Sequence, residues 1–101
     1  MKNILLMCSA GMSTSIMVKN MREAATKINA EVNIKAIPEQ SLSQNLVGTD
    51  IILLGPQVGF LLEDTRAIAK DIPVRVIDTM DYGTMNGEKI LRQTLDILGV
   101  K

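Results

Sequence analysis

Few residues in this chain can do chemistry, and the candidates fall close together. The single cysteine, Cys8, ends the apolar run Ile4-Leu5-Leu6-Met7 and opens the segment Ser9-Ala10-Gly11-Met12-Ser13-Thr14-Ser15. An aliphatic run, a tight turn of small and hydroxyl-bearing residues, and then an amphipathic pattern predict strand, loop and helix. The cysteine then stands at the carboxyl end of the strand. Backbone N–H groups of such a loop converge on its concave side, and the following helix adds the positive end of its dipole. A thiolate is favoured there, and so is a phosphoryl group. The reading is therefore a cysteine nucleophile that accepts a phosphoryl group, with residues Ser9 to Ser15 as its cradle. The plainer alternative is a small buried thiol at a strand end, with Ser13 or Thr14 serving only as the helix N-cap.

The absence of histidine anywhere in the 101 residues narrows the chemistry further. Ser-His-Asp and Cys-His pairs are excluded, as are most zinc sites and any phosphohistidine on this chain. No metal and no cofactor is expected. Chemistry must rest on Cys8, the carboxylates or the hydroxyls.

The elements that position Cys8 can be read in order. Asn3 to Met7 is a short continuous aliphatic strand, buried on both faces. Met17, Met21, Ala24, Ala25 and Ile28 recur at helical spacing, and that helix should end near Asn29 or Ala30. Val32 to Ala36 alternates apolar and polar residues, which predicts an edge strand with one wet face, stopped by Pro38. A short helix is expected within residues 40–47. Asp50 to Leu54 is a second central strand, broken by Gly55-Pro56. Val58, Leu61, Leu62, Thr65 and Ile68 give the next helical face, ending before Pro73. Val74 to Ile77 is the fourth strand, followed by a loop holding Asp81, Tyr82 and Gly83. Ile90, Leu91, Leu95 and Leu98 define the last helix, with Gly99 as its C-cap.

Strand and helix alternate throughout, which predicts one α/β domain over residues 1–101: a four-stranded parallel sheet with helices on both faces. Right-handed crossovers and two central strands give the order 2-1-3-4. Ligands bind such sheets at the carboxyl ends of the strands, where the winding direction switches. The loops meeting there are residues 8–13 and 55–59, with 79–83 beside them. Asp78, Asp81 and Tyr82 are thus expected as neighbours that tune the site, and Gln57 lies beside it in a structural role.

Composition agrees with a soluble globular protein: 47% of residues are apolar, 22% are charged and the net charge is zero. That balance lacks the basic surface nucleic acid requires, and one Tyr, one Phe and no Trp make a poor stacking platform. Lys2 precedes an apolar run far too short to span a membrane, and no signal-peptide pattern is present. A cytoplasmic location and no membrane insertion are expected.

Other cysteine and phosphate chemistries meet specific obstacles. The low-molecular-weight protein tyrosine phosphatases share this topology but use Cys, five residues, Arg and then Ser or Thr. Here the sixth residue after Cys8 is Thr14, and the nearest following cation is Lys19. An arginine clamp on a transferring phosphoryl group is worth about 10³ to 10⁵ in rate. Asp78 and Asp81 remain available as a general acid, so phosphatase activity is weakened rather than removed. A loop that binds phosphate without speeding hydrolysis suits a carrier. Receiver domains of signalling proteins need an aspartate at the end of the third strand, where this chain has Leu54-Gly55-Pro56. A non-enzymatic anion-binding module with an incidental cysteine is the remaining alternative.

The octapeptide from Cys8 to Ser15, with Leu53-Leu54-Gly55-Pro56-Gln57 and Val76-Ile77-Asp78 followed by Tyr82-Gly83, resembles the enzyme IIB component of the bacterial sugar phosphotransferase system. The similarity is to the lactose/cellobiose class, within it to the cellobiose or diacetylchitobiose branch, and it extends over essentially the whole chain. The resemblance implies that Cys8 takes a phosphoryl group from a phosphohistidine of the phosphorylated IIA protein. Cys8 then passes it to a sugar, a β-linked disaccharide such as cellobiose or diacetylchitobiose, held by the membrane IIC transporter. It also implies a surface for two partners. Met12, Met80 and Met85 either supply an adaptable apolar contact there or fill the core, and core filling is the expectation for Met80.

Overall fold

The computed structural model describes residues 1–7 and 11–99, the side chains of residues 11–14 excepted. The elements run β1 (Lys2–Met7), α1 (Gly11–Lys27), β2 (Val32–Ile37), a 3-10 segment (Glu39–Gln44), β3 (Ile51–Leu54), a second 3-10 segment (Pro56–Leu61), α2 (Leu62–Ala69), β4 (Val74–Val76), α3 (Thr79–Gly83) and α4 (Gly87–Leu98). All strand pairs are parallel and the order is β2-β1-β3-β4, as the alternation and the handedness rule require.

The two aliphatic runs occupy the sheet centre because both of their faces are covered. Ile4, Leu6, Ile51 and Leu53 face a core built with Met17, Met21, Ala24, Ile90, Leu91 and Leu95 from α1 and α4. Leu5, Met7, Ile52 and Leu54 face a second core with Leu42, Val58 and Ala69 on the other side. Successive residues of one strand thus serve opposite layers, which is why neither run alternates in sequence.

The edges differ from the centre. In β2, Asn33 and Lys35 are exposed and Ile34 is buried, as an edge strand requires, but Ala36 is exposed too. Ile37 turns inward instead, into the second core. The Arg22 guanidinium donates to the Ile34 carbonyl at 2.6 Å and pins this edge to α1. On the other edge β4 is one residue shorter than the strand expected over Val74 to Ile77, because Ile77 leaves the ladder after one last bond from its N–H to the Leu54 carbonyl.

Several helix limits depart from the periodicity. α1 begins at Gly11, so Ser13 and Thr14 lie inside its first turn and not at the N-cap. Packing of the Met17 and Met21 face sets the helix limits, and Ser and Thr cost little within a first turn. α1 also stops at Lys27, which leaves Ile28 half-exposed, and in α2 Ile68 is half-exposed as well, although helical spacing places both inward. Both residues lie at the margin of an apolar stripe whose centre takes the burial. The short helix expected within residues 40–47 is a 3-10 turn over Glu39–Gln44.

Residues 79–83, expected as a loop, form the short helix α3. The Asp78 carboxylate makes it possible by accepting from the N–H groups of Met80 at 3.0 Å and Asp81 at 3.1 Å. Asn86 caps α4 in the same way through the Lys89 N–H, and Gly99 ends it in the left-handed conformation expected of a C-cap, at φ 72°.

Candidate functional site

Three strands end together. Met7, Leu54 and Val76 lie in one row across β1, β3 and β4. One residue further on, the Gly55 N–H donates to the Met7 carbonyl at 3.0 Å and the Ile77 N–H to the Leu54 carbonyl at 2.8 Å. These bonds hold the β3 turn and the β4 exit directly beside the end of β1. The topology switches here, since α1 rises on one face and α2 on the other.

Cys8, Ser9 and Ala10 link Met7 to α1 and lie outside the described residues, as do the side chains of Gly11, Met12, Ser13 and Thr14. The backbone of residues 11–14 is the first turn of α1. First-turn N–H groups have no carbonyl partner within their own helix, and the positive end of the dipole lies there. No acidic residue stands in that turn to oppose an anion. Among the described residues no group of His, Cys, Asp and Glu side chains is placed to hold a metal ion.

The residues expected as neighbours separate into distinct roles. Asp78 is exposed, but one of its carboxylate oxygens is taken up in capping α3. Asp81 is buried and pairs with the Lys89 ammonium at 3.1 Å, which draws it toward α4. Tyr82 is buried against the α1 side of the sheet. Gln57 is exposed in the first turn after Gly55. Met80 corrects its expectation: it is 73% exposed and fills no core. Asp81 and Tyr82 take the inner side of α3, and the residue before them is turned outward.

Phe60 was not singled out from sequence, yet it is 79% exposed in the 3-10 segment next to the site. The signal was legible, because Phe60 falls outside the spacing set by Val58, Leu61, Leu62 and Thr65. With half-exposed Ile16 on α1 and Met80 on α3, it supplies apolar surface at the carboxyl end of the sheet. The groove at the opposite end is different. There Asn3 donates to the Gly48 carbonyl and accepts from Asn33, while Lys35 separately donates to Asn45, and these bonds fasten the β2–β3 connection.

The fold is a parallel α/β sheet of order β2-β1-β3-β4 whose switch point lies where β1 and β3 end side by side. The chain matches the family described as the lactose/cellobiose-specific IIB subunit of the phosphotransferase system over residues 3–93, and it belongs to that family. It is 40% identical over 100 residues to the oligo-beta-mannoside-specific EIIB component of Bacillus subtilis, covering 97% of each chain. It is 39% identical over 97 residues to the cellobiose-specific EIIB component of Lactococcus lactis, covering 89% of this chain and 90% of that one. The solution structure of the cellobiose-specific IIB component from Borrelia burgdorferi superposes with a TM-score of 0.81 at 42% identity, over 97% of this chain and 92% of that one. The lactose-specific IIB domain from Streptococcus pneumoniae shares the fold at a TM-score of 0.84 and 18% identity, covering 94% of this chain and 95% of that one. Membership makes the chain a phosphotransferase component of a sugar phosphotransferase system. No helix among the described residues is long and apolar enough to cross a membrane.

Proposed function

We propose that residues 1–101 form one IIB-type phosphoryl carrier in which Cys8 is the covalent acceptor. IIB components work between a IIA donor and a membrane IIC transporter, and the reading follows that order. The Cys8 thiolate attacks the phosphorus of a IIA phosphohistidine, the S–P bond forms, and the N–P bond breaks. The released imidazole takes up a proton. In the second step a hydroxyl oxygen of the sugar held by IIC attacks the same phosphorus. The S–P bond breaks, the thiolate returns, and the hydroxyl proton leaves to a base. The carrier works in the cytoplasm, where both donor and transporter face are met.

The observation that carries this reading is the junction itself. The chain's one cysteine directly follows Met7, at the end of a central strand fastened to the β3 turn, and a helix N-terminus follows three residues later. Backbone amides from Ser9 to Ser15 are the cradle, with side-chain help from Ser13 or Ser15. Neutral donors bind the phosphoryl group without the arginine that would speed attack by water.

The sugar is a β-linked disaccharide such as cellobiose or diacetylchitobiose, chosen by the transporter. Relatives named for oligo-beta-mannosides, galactose and cellobiose stand at 40%, 39% and 39% identity to this chain. Similarity across the carrier therefore does not track the sugar.

Intact-mass analysis after incubation with phosphorylated IIA, beside the Cys8→Ser variant, tests the proposal. One phosphoryl group on the wild type and none on the variant is expected. A Cys8→Ser chain that still accepts and passes on phosphate overturns it. So does a wild type that takes up nothing and instead releases phosphate from an aryl phosphate.

A further inference from the structure

Tyr82 is the only tyrosine of the chain, 5% exposed, and its hydroxyl is buried with no hydrogen-bond partner among the described residues. A buried polar atom left unpaired costs about 1–3 kcal/mol, and phenylalanine would fill the same space without that cost. The packing of the ring therefore does not account for the oxygen.

The surroundings fix where a partner must come from. α3 starts two residues after the row Met7–Leu54–Val76 is passed, and the Tyr82 ring joins the core on the α1 side with Leu6, Leu53 and Ile77. β1 and β4 are two inter-strand spacings apart, about 10 Å. The link from Met7 to Gly11 leads to α1, on that same face of the sheet. The orphaned donor thus lies on the face that α1 covers, at the end of the sheet where the chain leaves β1.

Tyr82 is also held rigidly. Its N–H bonds the Asp78 carbonyl at 2.9 Å, its carbonyl accepts from Met85, and the Asn20 side chain ties the Met85 carbonyl to α1 at 2.9 Å. These bonds fix the backbone of α3 against α1, and the ring is buried in the core there. Asp81 next to it also keeps one buried oxygen unpaired, but its other oxygen takes Lys89, and a carboxylate repels an anion where a phenol attracts one.

We propose that the Tyr82 hydroxyl is a phosphoryl-binding donor that finds its partner, an oxygen of the Cys8 phosphoryl group, only when the carrier is loaded. This inference rests on Cys8 being the acceptor. Phosphorylation brings three strong acceptor oxygens and a charge of about −1.5 to −2 to this end of the sheet. A bond made only in the loaded form shifts the transfer equilibrium with IIA toward the carrier.

The test is the Tyr82→Phe variant, with phosphoryl distribution between IIA and carrier measured by intact mass at equilibrium. It is accompanied by the ³¹P resonance of the phosphocysteine and a urea melt of the unphosphorylated protein. Loss of a hydrogen bond to a charged group predicts an equilibrium shifted about tenfold or more toward IIA. The ³¹P resonance should move, and the unloaded variant should be no less stable than wild type. An unchanged equilibrium and resonance overturn the inference. So does an unloaded Tyr82→Phe chain that is destabilised or fails to fold, because the hydroxyl would then have a structural partner. Wild type that accepts no phosphoryl group overturns the carrier reading instead, and that is seen before the variant is made.

Discussion

Single residues decide how closely the parts of this molecule approach. Gly87 opens α4 where a Cβ would stand 2.7 Å from the carbonyl carbon and Cβ of Asn20 and the N of Met21. Two of those atoms are backbone of α1 and the third is the Cβ fixed to it, so none can step aside. Gly87→Ala should therefore destabilise the fold by about 1–3 kcal/mol, read as a lower urea midpoint with an unchanged slope. Gly59 makes a contrast, since its Cβ would meet Val76 at an ordinary 3.5 Å. Sequence gives no sign of this difference, because both are glycines near helix starts. What sequence does give at this scale is Cys8 by elimination, since no histidine competes with it. It misplaced Met80, whose direction depends on the phase of a five-residue helix that too few residues define.

At the scale of elements, α3 is the informative case. Asp-Thr-Met-Asp-Tyr-Gly reads as loop because its acidic residues and glycine outweigh the apolar ones. The chain folds otherwise because the Asp78 carboxylate satisfies two of the first N–H groups of the helix. Asp78→Ala should cost about 0.5–2 kcal/mol and lower amide protection over residues 79–83 in hydrogen exchange, with β1 and β3 unaffected. The strands were more legible than the helices. Two continuous aliphatic runs, one alternating run and a short fourth strand leave little choice, whereas helix limits here are set by which turn of a stripe reaches the core.

Across the whole molecule, β1 and β3 are shared by two apolar layers that meet back to back. Leu6 is fully buried in one layer while Met7 beside it is buried in the other. Leu6→Ala should cost about 2–5 kcal/mol, and thermal unfolding should remain a single transition because neither layer can close without the shared strands. The order 2-1-3-4 was legible because the two doubly apolar runs have to be central and the alternating run has to be an edge. The apolar surface carried by Ile16 and Met80 was less so, because exposure depends on tertiary neighbours and not on residue type.

The register of β1 has a consequence for how the chain is made. Its partners are Val32 to Ile37 and Ile51 to Leu54. At about 5–20 residues per second of synthesis, β1 waits several seconds for its central partner β3 to be translated. During that interval Ile4 to Met7 is an unpaired apolar ribbon that only α1 can shield. The helix that follows β1 in sequence is therefore its earliest escort during synthesis.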